Sequence, residues 1–186
     1  VSAPAAAPLA PVSPARTGVW IGIAAIVMSF AAFTSALIVR QGAGPEWQHV
    51  RLPPILFANT LVLLVSSATL ERSRSRGARV ETALPWLYLT LGLGLAFLGG
   101  QIAAWRSLAE QGLGLASSAN SAFFYLFTAA HGLHLLGGLG GLTYALRRLQ
   151  RSRDPAARHV LGTAAVYWHF MDGLWLYLLV LLVLRV

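Results

Sequence analysis

The chain has 186 residues, 56% of them hydrophobic and only 11% charged, with a formal net charge of +8 and no cysteine. A soluble domain carries roughly 25% charged residues, so this composition, with a mean hydropathy of +0.65, excludes a soluble globular enzyme and a disordered tail. Nucleic acid is excluded as a partner too, because the basic residues punctuate apolar runs instead of coating one water-exposed face.

All 14 basic residues are Arg. The lack of Cys removes disulfides, thiolate metal sites and covalent haem attachment through CxxCH. A bound metal or haem would have to rely on five His, two Met and six carboxylates.

Residues 1–16, VSAPAAAPLAPVSPAR, have an Ala/Pro-rich composition that cannot offset its ordering entropy, so a disordered tail is expected there. No basic stretch precedes an apolar core, so the segment is not a secretory signal. The first residue is Val, which points to trimming or to a start further upstream. The fold class that follows is an all-α, polytopic membrane bundle over residues 17–186. A bilayer core of about 30 Å needs about 20 mostly apolar residues per helix. Five segments meet this: about 17–39, 53–70, 84–105, 119–146 and 160–184. The second is the shortest, and its Asn59, Thr60, Ser66, Ser67 and Thr69 require packing inside protein. Pro53, Pro54 and Pro85 are expected at helix starts, where a missing N–H does no harm. No segment alternates at period 2, which excludes a β-barrel.

Charge then orients the five spans. Arg16, Arg72, Arg74, Arg76, Arg79, Arg147, Arg148, Arg151, Arg153 and Arg158 fall on one side, and Arg40, Arg51, Arg106 and Arg185 on the other. The positive-inside rule puts the N-terminus in the cytoplasm and the C-terminus outside. The arginines set topology and meet anionic head groups.

Close helix approach in lipid uses small residues, and Gly92, Gly100, Gly137 and Gly141 are the expected packing positions. Polar residues at membrane depth are costly unless partnered. His131 and His134 share a face of the fourth span, and His169 and Asp172 a face of the fifth, each pair three residues apart. Asn59 and Gln101 lie on the second and third. Comparable depth of the histidines is compatible with an interhelical hydrogen-bond network, with a proton pathway, or with a metal or haem site. A transporter site would need broken helices or an internal repeat, and neither is visible.

Four stretches resemble the haem–copper oxidase (cytochrome c oxidase) subunit III family, in its short five-helix bacterial form. His131-Gly132-Leu133-His134 before Leu-Leu-Gly-Gly is similar to that family's HGLH-x-x-x-G signature. Tyr167-Trp168-His169-Phe170-Met171-Asp172 with Trp175 is similar to its YWHFxD-x-xW motif. Asn59-Thr60 with Leu63, Leu64, Ser66, Ser67 and Thr69 resembles its NT-x-x-LL-x-SS-x-T helix, and Gln101 with Trp105 its Q-x-x-x-[YW] segment. The long form has seven helices, of which this chain matches the last five. In some bacterial relatives a C-terminal extension of subunit I supplies the missing pair, which is a testable expectation here. Where the family reads S-E-V-M-F-F on the first of these helices, this chain reads Ala25-Ile26-Val27-Met28-Ser29-Phe30, so any role of that Glu is absent or has moved.

The resemblance implies a non-catalytic accessory subunit of a proton-pumping respiratory terminal oxidase in the bacterial cytoplasmic membrane. Haem and copper are expected in the partner subunits and no cofactor or metal in this chain. The expected partners are subunit I, packed directly, subunit II and membrane lipids, with bound phospholipid and a supporting role in proton uptake and stability. His131, His134, His169, Asp172, Asn59 and Gln101 are the expected buried polar network, structural or lipid-linked, with no catalytic residue. The alternatives are a five-helix relative in a nitric oxide reductase system or a quinol oxidase, and more distantly a small b-type cytochrome or transporter.

Overall fold

A computed structural model describes residues 14–43, 52–75, 80–151 and 155–185. Of the tail expected over 1–16, residues 1–13 therefore lie outside the described residues, as do Arg51, Arg76, Arg79 and Arg153. The described residues form five α-helices and no strand: α1 (Pro14–Gly42), α2 (Ile55–Ser75), α3 (Val80–Glu110), α4 (Ala119–Arg151) and α5 (Pro155–Arg185). All five are long and apolar enough to cross a membrane. At 1.5 Å per residue the 21 residues of α2 span about 32 Å, just the hydrocarbon core. The helices run on past the apolar runs that seed them, because a helix satisfies its backbone internally and continues through the head-group layer. Thus α1 begins at Pro14 and α2 runs on through Glu71 to Ser75.

Pro53 and Pro54 lie just ahead of α2, their carbonyls accepting from Leu56 N and Phe57 N at 3.1 Å each. Pro85, expected at a start, instead lies inside α3. It is near enough to the N-terminus that little ladder precedes it. The α3–α4 connection is sharply specified. Gly112 takes φ 78°, and Leu113 N donates to Leu108 O and Gly112 N to Ala109 O, each at 3.0 Å, a Schellman termination. Ser118 then caps α4. Its Oγ accepts from Ser121 N at 3.1 Å while Ser121 Oγ accepts from Ser118 N at 3.1 Å, a reciprocal capping box.

Helices α2, α3, α4 and α5 close a ring in which each packs on two neighbours, while α1 lies outside it against α5 and, more lightly, α4. The ring is tied by hydrogen bonds between helices. On the α2–α3 seam Ser73 Oγ donates to Ala83 O at 3.0 Å, Ser66 Oγ to Thr90 O at 3.2 Å and Asn59 Nδ2 to Phe97 O at 2.9 Å. Trp105 Nε1 donates to Thr128 Oγ1 at 3.0 Å between α3 and α4, and Tyr167 OH to His134 O at 3.0 Å between α5 and α4. Asn59, Thr60, Ser66 and Thr69 are all buried, so the polar content of the shortest helix faces protein. On the outside, α1 is held by Thr34 Oγ1 against Tyr177 OH at 2.8 Å and by Phe30 stacked on Phe127 at 6.4 Å.

Glycine marks where backbones meet, but not at every expected place. A Cβ on Gly100 would strike the Asn59 side chain, one on Gly94 would come within 2.7 Å of the Trp168 ring, and one on Gly138 within 3.1 Å of Tyr167. Gly137 has only ordinary contact with Tyr167, and Gly92 and Gly141 face open space. Within this chain the close approaches are thus at Gly94, Gly100 and Gly138. Gly92 and Gly141 pack nothing, because the helix rotation turns them outward.

Candidate functional site

The six polar residues do not meet at one point. They divide between different seams of the ring.

On the α2–α5 seam, Ser67 Oγ lies 2.5 Å from His169 Nδ1. The same ring stands between two carboxylates, with Nε2 3.6 Å from Glu71 Oε2 and Nδ1 4.0 Å from Asp172 Oδ2. Arg74 holds Glu71 from the helix end at 2.7 Å. His169 is half-exposed at the edge of the bundle, while Asp172 is 6% exposed and neither of its carboxylate oxygens has a hydrogen-bond partner among the described residues. One turn further, Trp175 Nε1 donates to Thr60 Oγ1 at 2.9 Å.

His131 is completely buried at a different place, between α3, α4 and α5. Its ring lies 5.1 Å from that of Trp175 and 5.8 Å from that of Phe97, and neither nitrogen is hydrogen-bonded. Gln101, one turn along α3 from Phe97, is likewise buried with both amide atoms unpartnered. His134 turns toward α1: its Nδ1 donates to Ala130 O at 2.7 Å on its own helix and its ring lies 5.9 Å from Phe30. Asn59 is engaged with α3. The structure therefore brings His169 and Asp172 together and leaves His131, His134, Asn59 and Gln101 in separate surroundings. The histidines do not converge, and among the described residues no group of three or more His, Cys, Asp or Glu is placed to hold a metal ion.

Three further side chains take part beyond the six expected polar residues. Ser67 and Glu71 sit four residues apart on α2, a spacing that puts them on one face. The sequence reading places Glu71 in the loop after the second span, because the apolar run stops at Leu70. Tyr167, adjacent to the motif pair, ties α5 to α4. A further feature lies at the arginine-rich end, where Tyr144, Arg147, Arg148 and Arg151 line a shallow recess on the exposed face of α4. Nearby, Arg72 stacks over the Trp86 ring at 5.3 Å, and Gln150 Nε2 donates to Tyr88 OH at 2.7 Å.

A five-helix membrane bundle whose polar residues are spent mostly on holding helices to one another, and which assembles no metal site among its described residues, is the class of protein that this geometry defines. The chain belongs to the cytochrome c oxidase subunit III family, whose sequence model it matches over residues 17–184. It is 32% identical to the probable cytochrome c oxidase subunit 3 of Mycobacterium tuberculosis over 170 residues, covering 86% of this chain and 82% of that protein. It is 31% identical to cytochrome c oxidase subunit 3 of Thermostichus vulcanus, covering 83% and 79%. It is also 30% identical to cytochrome bo(3) ubiquinol oxidase subunit 3 of Pseudomonas aeruginosa, covering 86% and 79%.

Proposed function

We propose that this chain is the non-catalytic subunit III of a proton-pumping respiratory haem–copper oxidase. It packs directly on subunit I, binds phospholipid and sustains proton uptake and the lifetime of the oxygen-reducing site carried by its partners. The observation that carries this reading is the family match along almost the whole chain. Haem and copper belong, in this reading, to subunits I and II.

The membrane placement rests on charge. Among the described residues Arg16, Arg72, Arg74, Arg147, Arg148, Arg151 and Arg158 stand at one end of the bundle, against Arg40, Arg106 and Arg185 at the other. With the bacterial cytoplasmic membrane as the host, the first end is cytoplasmic and the C-terminus periplasmic. Trp86, Tyr88 and Tyr144 beside the arginines have the character of an interfacial belt. The recess at Tyr144, Arg147 and Arg151 suits a phospholipid phosphate with its acyl chains along α4. The outward glycines Gly92, Gly99, Gly140 and Gly141, around which nothing of this chain lies within 4 Å of an added Cβ, leave smooth surface for a helix of subunit I. Asn59 serves helix register through its bond to Phe97 O, while Gln101, His131 and His134 have structural, non-catalytic roles within the bundle.

The test is gentle detergent purification through a tag on this chain, with mass spectrometry of what accompanies it, a reduced-minus-oxidised spectrum and lipid analysis. A haem- and copper-bearing subunit I, a subunit II and retained phospholipid are expected. A chain that arrives alone, or with its own haem, overturns the reading. The Pseudomonas aeruginosa relative favours one second reading, a quinol-oxidising host complex, which a copper-free subunit II in the same preparation would establish.

A further inference from the structure

The α2–α5 seam contains more than helix registration needs. Asp172 is buried near the middle of α5 with neither carboxylate oxygen hydrogen-bonded among the described residues, and a carboxylate inside an apolar bundle is among the costliest groups it can hold. On the neighbouring α2–α3 seam, by contrast, Asn59, Ser66 and Ser73 each donate to a carbonyl of α3. The two nitrogens of His169 address two different carboxylates, Nε2 toward Glu71 at 3.6 Å and Nδ1 toward Asp172 at 4.0 Å. Glu71 is more than half exposed and fixed by Arg74, so this string of groups begins in water at the arginine-rich end and stops inside the protein.

We propose that Glu71, His169 and Asp172 form a proton-loading site, in which a proton entering from the arginine-rich side passes through the His169 ring and is stored on Asp172. Protonated Glu71 gives its proton to His169 Nε2, making a carboxylate and an imidazolium. The imidazolium releases its Nδ1 proton to the Asp172 carboxylate, directly or through the Ser67 hydroxyl. Asp172 is left neutral and the ring neutral in its other tautomer. Each gap exceeds a hydrogen bond by about 1 Å, which a small rotamer change or one water closes.

The remaining neighbours of Asp172 offer no exit. From α2 the titratable or charged groups facing the pair are Glu71 and, behind it, Arg74. The α4 helix contributes His131, walled off by the Trp175 ring, and His134, committed to Ala130 O. The α3 helix presents Gly94 and Phe97, and the buried residues of α1 are Ile23, Ile26, Phe30 and Leu37. Storage is therefore reversible from one side only. The proposal rests on the subunit III role solely for what receives the proton, namely the partner's uptake path.

The test is infrared spectroscopy of the full chain in the complex it purifies with, as a pH series with transfer into D2O. A protonated-carboxyl C=O band that Asp172→Glu shifts is expected at the acid end of the series. Its deuterium exchange should be fast in the wild type and slowed by about 100-fold in His169→Phe, the low end of what a positioned proton-transfer group contributes. Glu71→Gln should slow it too, and His131→Phe should leave the rate unchanged. These slow variants retain Asp172, so a purely structural pair would move neither rate. No band that follows residue 172 at any pH, or unaltered exchange in His169→Phe, overturns the proposal. A chain that purifies without oxidase partners would sink the subunit reading while leaving this measurement valid.

Discussion

At the residue scale, most polar side chains in this bundle stabilise it because a second helix completes them. Thr60 is the clearest case. It accepts the Trp175 indole proton at 2.9 Å, and Thr60→Val keeps the volume while stranding that donor. A loss of about 1–3 kcal/mol is expected, read as a lower unfolding midpoint in detergent, with Thr60→Ser retaining stability. Glycine gives a second contrast. Gly94→Ala would push a methyl to 2.7 Å from the Trp168 ring and 2.8 Å from Leu139, an overpacking worth about 1–3 kcal/mol. Gly92→Ala meets open space and should not lower the isolated chain's melting temperature, because the added methyl touches nothing of this chain. These glycines also show where sequence reasoning stops. Gly92 and Gly100 satisfy the four-residue spacing, but spacing names a face without saying which way it turns. Rotation is decided by what the opposing helix offers, here the Trp168 ring at Gly94 and Asn59 at Gly100. The histidines follow the same logic: their membrane depth could be read from position in a run, whereas His131 in an aromatic enclosure and His169 on a serine are products of neighbours on other helices.

At the element scale, the five spans were legible because twenty-residue apolar runs have few other physical solutions, and the burial of the polar face of α2 followed from its shortness. Less legible were the ends, where hydropathy fades while the backbone stays helical. Glu71 and Pro85 were both misplaced for this reason, one in a loop and one at a start. The α3–α4 turn carries its own specification. Gly112 holds φ 78°, so Gly112→Ala should cost about 1–2 kcal/mol from left-handed strain. Ser118→Ala, which removes the α4 cap, should cost about 1 kcal/mol. The two lie at different helix ends, so thermal unfolding of the double variant tests whether the turn acts as one unit. Losses that add within error mean independent ends, and a combined loss below the sum means a coupled turn.

At the scale of the whole molecule, the architecture is a ring of four helices with a fifth leaning on it. A chain beginning at residue 52 is expected to keep the ring, since none of the hydrogen bonds on the α2–α3, α3–α4, α4–α5 and α2–α5 seams involves α1. Near-native helicity per residue and protease resistance of α2–α5 in detergent would show this. Collapse of the truncated chain would mean that α1 stabilises the ring as well as borders it.

The leaning helix has a consequence for how the protein comes into being. Domains are made N-terminus first, so of the five described helices α1 enters the membrane first. Its main neighbour, α5, is the last of these five to be synthesised, and the contacts that hold it, Thr34 to Tyr177 and Phe30 to Phe127, reach forward to α5 and α4. Until Phe127 on α4 and then Tyr177 on α5 have been made, α1 waits in lipid without either of these contacts. During that interval its most apolar face is open to whatever the membrane holds beside it, and assembly with a partner can begin on this helix before the subunit has finished being made.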